Sequence, residues 1–205
     1  MVASHNTGKV RELSALLRAR GVEPISAASL GLISPPETET TLEANASLKA
    51  LFATRKSGLP ALSDDSGIAF PGLDGWPGVE TGREVDALGG WHPALQSVVQ
   101  RLGDRPRVHY TSALALAWPD GRVVLGSGRL AGDLVWPQRG DGGAPFDQAF
   151  QPDGFGTTLG ELDAQQRGRR NPRALALHAL ERALDERGLG AAPGLSPRLS
   201  RESTP

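Results

Sequence analysis

Leu59-Pro60-Ala61-Leu62-Ser63-Asp64-Asp65-Ser66-Gly67 sets an apolar run directly before two adjacent carboxylates, a hydroxyl and a glycine. The run predicts a strand with Asp64 and Asp65 at its end. Carboxylates placed there suit a hard cation such as Mg2+, which takes oxygen ligands and keeps several waters. One of them can also deprotonate a bound water for attack on phosphorus. The plainer alternative is an Asp-Asp-Ser-Gly turn with solvated side chains or a helix cap.

A second polar cluster, Ser4-His5-Asn6-Thr7-Gly8-Lys9, lies between a short apolar stub and a segment with Val10, Leu13, Leu16 and Leu17 at helical spacing. That spacing predicts a helix over 9–20, stopped by Gly21. A Gly-Lys pair opening a helix offers backbone N–H groups, the positive end of the helix dipole and an ammonium, all suited to phosphate oxygens. It is not the Walker pattern, because Val10 follows Lys9 and no glycine precedes Gly8 at the required spacing. A polar turn before a helix is the alternative.

Between these clusters, 41–57 reads as a helix with Thr40 or Thr41 as cap, Leu42, Ala46, Leu48 and Phe52 as apolar positions, and Gly58-Leu59-Pro60 as its stop. Glu37, Glu39 and Glu43 lead into it, either as further oxygen ligands or as a solvated acidic loop favoured by the helix dipole. Beyond Gly67 a turn-rich stretch precedes a helix expected over 92–102. Strands are expected over 108–118 and 122–128, paired as a hairpin across Pro119-Asp120-Gly121, with another strand over 134–136. A last helix is expected over 173–187, with Leu177, Leu180 and Leu184 on one face. Trp76, Trp91, Trp118 and Trp136 read as core or lobe-interface residues, and no spacing among the histidines resembles a metal site. The alternation of helices and strands predicts a single α/β domain over 1–190 with a mixed sheet, followed by a Pro-, Ser- and Arg-rich tail at 191–205 expected to be disordered.

The 205 residues, 39% hydrophobic and 22% charged, are enough for one substantial core or two lobes sharing a sheet. A formal net charge of −1 and a pI near 6.4 offer no broad positive field for nucleic acid, so a nucleotide-like ligand is expected to be small. The absence of cysteine excludes disulfides and thiolate chemistry and restricts metal binding to oxygen ligands. Without a basic, apolar N-terminal leader or a spanning stretch, no membrane partner is expected and the cytoplasm is the expected compartment. Met1-Val2-Ala3 leaves three residues where a first core strand needs about five, which points to an upstream start or a shortened edge.

Taken in order, these runs resemble the inosine triphosphate and xanthosine triphosphate pyrophosphatase family over about residues 2–188. The matching pieces are Ser4 to Lys9; Glu37-Thr38 through Asn45-Ala46 to Leu48-Lys49-Ala50; Ser63 to Gly67; Pro77-Gly78-Val79; and Leu134 to Pro137 with Arg139-Gly140-Asp141. The resemblance implies an elongated, two-lobed α/β fold around a central mixed sheet, a homodimer, and Mg2+-dependent hydrolysis of deaminated purine triphosphates such as ITP, dITP and XTP to nucleoside monophosphate and pyrophosphate. By motif position it implies that Ser4, His5, Asn6, Thr7, Gly8 and Lys9 hold the triphosphate, Asp65 is general base and metal ligand, Asp64 supports the metal shell, and Ser66 touches substrate.

Four positions depart from the family pattern. Ala44 stands where Glu-Asn-Ala begins, leaving Glu43, about 100° away around the helix, as the remaining metal ligand candidate. The base-recognition segment reads Gly143-Ala144-Pro145-Phe146-Asp147-Gln148, so Ala144 replaces a stacking aromatic while Phe146 and Asp147 stay available. Arg167 takes the place of a lysine, and Pro172-Arg173 that of His-Arg, so Arg173 keeps its charge while the imidazole is lost. Two readings follow: a pyrophosphatase with altered base selectivity, or a degenerate homologue that binds nucleotide or a partner without turnover.

Overall fold

The computed structural model describes residues 1–189; the tail expected at 191–205 lies outside the described residues. The apolar, β-branched and small residues of the hairpin make its spine. β3 (Arg107–Ala117) and β4 (Val123–Leu134) pair antiparallel from Arg107 opposite Asp133 to Ala117 opposite Val123. β1 (Ala61–Ala69) pairs along its whole length with His109 to Ala117 of β3. Short strands β2 (Pro77–Gly78) and β5 (Phe150–Pro152) complete a five-stranded sheet in the order β2-β1-β3-β4-β5.

All these pairings are antiparallel; among the described residues the parallel component of the expected mixed sheet comes only from Val2, which bridges Leu62 on one side and Ser26 on the other. Val2 is fully buried, so the short N-terminal stub sits in the core. On the side of β1 away from β3, Val2 pairs at Leu62 and β2 at Ile68 and Ala69. Asp64 to Ser66 are left without a strand neighbour there.

Among the described residues six α-helices surround the sheet: α1 (Thr7–Arg18), α2 (Leu42–Ser57), α3 (Thr81–Ala87), α4 (Trp91–Leu102), α5 (Ala164–Arg170) and α6 (Pro172–Glu186). Asn6, Thr41 and Asn171 cap α1, α2 and α6 by accepting the N–H of Lys9, Ala44 and Ala174. α1 begins two residues before the expected Lys9, α3 and α5 were not foreseen, and 134–136 is no strand of its own. Leu134 ends β4, which runs six residues beyond Gly128.

Alternation along β1 and β3 sorts their side chains to two faces. On one, Ala113, Ala115 and Ala117 lie under Ala46 and Ala50 of α2, small residues that let helix and sheet approach closely. On the other, Leu62, Leu114 and Val124 meet Leu13 of α1 and Leu177, Leu180 and Leu184 of α6. Farther along the same sheet a second cluster gathers Phe70, Leu95, Val108, Tyr110, Leu134, Phe146 and Phe150. These two clusters are the cores of the two lobes. Trp76, Trp91 and Trp136 pack against the second and Trp118 against the first, as core edges rather than open platforms.

Candidate active site

The two apolar clusters do not merge. Along β3 the sequence passes from Tyr110 to Leu114 through Ser112, and along β1 from Leu62 to Ile68 through Asp64 and Ser66, with Ser66 directly opposite Ser112. This polar belt crosses the sheet between the lobes. Asp64 and Asp65 therefore lie in the middle of a strand rather than at its end, and adjacent strand residues face opposite sides.

Asp64 faces α1 and α6. Its Oδ1 lies 2.9 Å from Lys9 Nζ, and its Oδ2 accepts from Arg173 Nε at 3.0 Å and Ser66 Oγ at 2.8 Å. Burial by itself raises its pKa, but the charges of Arg173 and Lys9 outweigh it and hold the carboxyl well below its ordinary range. Arg173, only 6% exposed, also donates to Glu12 and Ser66. Ser66 shares a 2.7 Å hydrogen bond with Ser112.

Asp65 faces α2. Its Oδ1 accepts from Lys49 Nζ at 2.9 Å, and its Oδ2 is buried with no hydrogen-bond partner. Burial raises its pKa; Lys49 opposes this, Glu37 adds to it, and the net direction is upward. Lys49 Nζ also meets Glu37 Oε1 at 2.5 Å, so the two carboxylates converge on one cation.

The loop before α1 is tightly wound. Ser4 Oγ accepts the N–H of Asn6 at 3.3 Å, and Thr7 and Gly8 open the helix toward solvent. His5 Nε2 donates to the Leu32 carbonyl at 2.6 Å. Across the belt, Ala144 donates its N–H to Asp147 Oδ2 at 2.8 Å, while Asp147 Oδ1 is buried and unpartnered. Burial raises the Asp147 pKa to about 6, with the Ala144 N–H opposing it only in part. Arg167 holds the Leu162 carbonyl at 2.7 Å. A Cβ at Gly143, whose φ is +78°, would sit 2.1 Å from Asp147 Oδ2, so only glycine lets the backbone pass this carboxylate.

The sequence profile of the Ham1 family matches residues 1–183. The chain belongs to the Ham1 family. It is 44% identical over 177 residues to the dITP/XTP pyrophosphatase of Rhizobium meliloti (strain 1021), covering 82% of this chain and 83% of that protein. It is also 44% identical over 181 residues to the dITP/XTP pyrophosphatase of Gluconobacter oxydans (strain 621H), covering 87% of each. A HAM1 protein from Coxiella burnetii superposes with a TM-score of 0.76 at 29% identity, covering 90% of this chain and 97% of that one. The nucleoside-triphosphatase / dITP/XTP pyrophosphatase of Mycobacterium abscessus superposes with a TM-score of 0.65 at 33% identity, covering 82% and 91%.

In this Ham1 chain the expected metal set Asp65, Asp64 and Glu43 is not brought together. Asp64 points to the other face of the sheet, and Glu43 accepts from Ser127 Oγ on β4 at 2.6 Å. Among the described residues no three His, Asp or Glu side chains form a ready-made cage. The donors that suit a hard cation are Asp65, with its unpartnered oxygen, and Glu37, which meets it at Lys49. Phe146 lies in the core of one lobe: it is 1% exposed and packed on Phe150, Tyr110 and Trp91.

Lys49 entered the sequence reading only as part of a matching run, without a role, and Glu12 did not enter it. The available signal was a lysine inside the small-residue stripe of α2, at Asn45, Ala46, Lys49, Ala50 and Ala53, where an ammonium is buried only if paired. Glu12 stands one turn after Lys9 on α1, which aligns both with the belt.

Proposed function

We propose that this Ham1 chain hydrolyses deaminated purine nucleoside triphosphates of the dITP and XTP type to nucleoside monophosphate and pyrophosphate, with Mg2+ as cofactor. The reading rests on Asp65, a buried carboxylate of raised basicity with one oxygen free to take a proton from an attacking water. The start of α1, with the N–H groups of its first turn and the partly exposed Lys9, receives phosphate oxygens. Asp65 and Glu37 would hold the Mg2+, which, when bound, offsets the charge of the triphosphate. Ser66 and Arg173 border the same belt from the α6 side, with Arg173 fixed by Asp64 and Glu12.

Asp147 supports the choice of base. Its Oδ1 is an acceptor lacking a donor, and a 6-oxopurine carries an N1–H where adenine carries a lone pair. Arg167 stands beside it, and Ala144 contributes its backbone N–H to Asp147 instead of an aromatic platform.

The test is pyrophosphate release by purified protein from dITP, XTP, ITP and the standard nucleotides, with and without Mg2+. We expect Mg2+-dependent release from the deaminated set, and a loss of about 10³-fold in Asp65→Asn with nucleotide binding retained. Release from none of the panel would overturn the reading.

A further inference from the structure

Between the 3-10 turn at Ala28–Leu30 and the start of α2, residues 31–41 form neither helix nor strand, and this segment carries Glu37. Apolar packing holds it poorly. Ile33 is 75% exposed, and a cavity of about 10 Å³, room for one water, lies beneath 32–35 beside His5, Lys49 and Phe52. Polar ties do the work instead. Asn45 on α2 accepts the Glu39 N–H at 3.0 Å, Arg83 on α3 donates to the Glu37 carbonyl, and Lys49 holds the Glu37 carboxylate.

The Leu32 N–H closes back on the Ala27 carbonyl at 3.1 Å within the preceding turn, whereas the tie from His5 to the Leu32 carbonyl at 2.6 Å comes from outside the segment and is of a different kind from the other side-chain ties. The others start from helices, whereas His5 belongs to the loop that runs into the N-terminus of α1. Because a carbonyl only accepts, the proton resides on Nε2 whichever charge the ring carries. This imidazole is thereby engaged by the backbone of a neighbouring segment.

We propose that His5 is a positioning residue: it ties the Ser4–Lys9 loop to the Glu37-bearing segment and so helps hold Glu37 beside Asp65 at their shared partner Lys49. The proposal rests on the assignment of the phosphate and cation sites made above. Asn45, Arg83 and Lys49 anchor the later part of the segment; His5 alone of the four reaches its beginning at Leu32. Loss of one such outer contact lets a ligand side chain wander and weakens metal affinity.

The test compares the full chain with His5→Ala, His5→Leu and His5→Gln, the last keeping a side-chain N–H donor. Glutamyl endopeptidase cuts after Glu37 and Glu39, and its rate reports how often the segment lifts. We expect cutting about 10-fold faster in the alanine and leucine variants, the scale of one lost hydrogen bond, with the glutamine variant near wild type. The Mn2+ dissociation constant of the free protein, read by electron paramagnetic resonance, should rise by about the same factor and recover in His5→Gln. Cutting at the wild-type rate in both donorless variants overturns the proposal, as does faster cutting with unchanged Mn2+ affinity. If His5→Ala does not fold, His5→Leu against His5→Gln carries the same expectation. Failure of the wild type to release pyrophosphate would sink the proposed reaction separately, since neither readout uses turnover.

Discussion

Asp147 keeps a carboxylate in the protein interior with one oxygen satisfied by the Ala144 N–H and the other by nothing. Its folded pKa of about 6 lies above its ordinary 3.8, so the native state binds the proton more tightly than the unfolded chain. The sign is therefore opposite to that of a salt-bridged carboxylate. The penalty is full above pH 6 and is relieved as pH falls through 6 toward 4. Asp147→Asn removes it, and should stabilise the free protein at pH 7.5 by about 1–3 kcal/mol, with the difference from wild type vanishing near pH 4. Urea melts of both proteins at the two pH values check this; an equal difference at both would refute it. Asp147 was singled out by its motif position. That Phe146, its neighbour, is core was not legible, because burial of an aromatic depends on what the fold stacks against it.

At the scale of elements, β4 shows why a strand can be underestimated from sequence. Gly126 and Gly128 weaken β propensity, and the strand was expected to end at Gly128. In the fold these glycines are where α6 crosses the sheet. A Cβ at Gly126 would lie 2.3 Å from the Leu180 backbone nitrogen and 2.4 Å from the Ala176 oxygen. Gly126→Ala must push α6 away from the leucine cluster, at a cost of about 2–3 kcal/mol, or roughly 5–10 °C in Tm. Thermal melts decide it, and an unchanged midpoint would show that α6 yields freely. The long helices α1, α2, α4 and α6 were legible because each spans enough turns for an apolar stripe to repeat. α3 and α5, seven residues each, are too short to display one.

For the whole molecule, two apolar clusters share one sheet, with the belt of Asp64, Ser66, Ser112, Arg173 and Glu12 between them. β1, β3 and β4 run through both lobes, so neither core can dissolve without breaking the same ladders. Variants retaining only Trp118, at one cluster, or only Trp136, at the other, should unfold in urea with coincident fluorescence transitions. Two separated midpoints would mean that the lobes are independent folding units. Among the described residues no helix is long and apolar enough to cross a membrane.

The order of motifs along the chain was enough to determine the α/β class, the principal helices, the central hairpin, and Asp65 with the Ser4–Lys9 loop as the centre of interest. These depend on local periodicity and on residue types that carry chemistry by themselves. Only the tertiary structure decided that Asp64 meets Lys9 and Arg173 while Asp65 meets Lys49, that Glu37 rather than Glu43 shares Lys49 with Asp65, and that His5 turns to Leu32. Each of those outcomes depends on which elements cover the two sides of a strand. Sequence spacing does not encode that, because the partners lie 12 to 109 residues away.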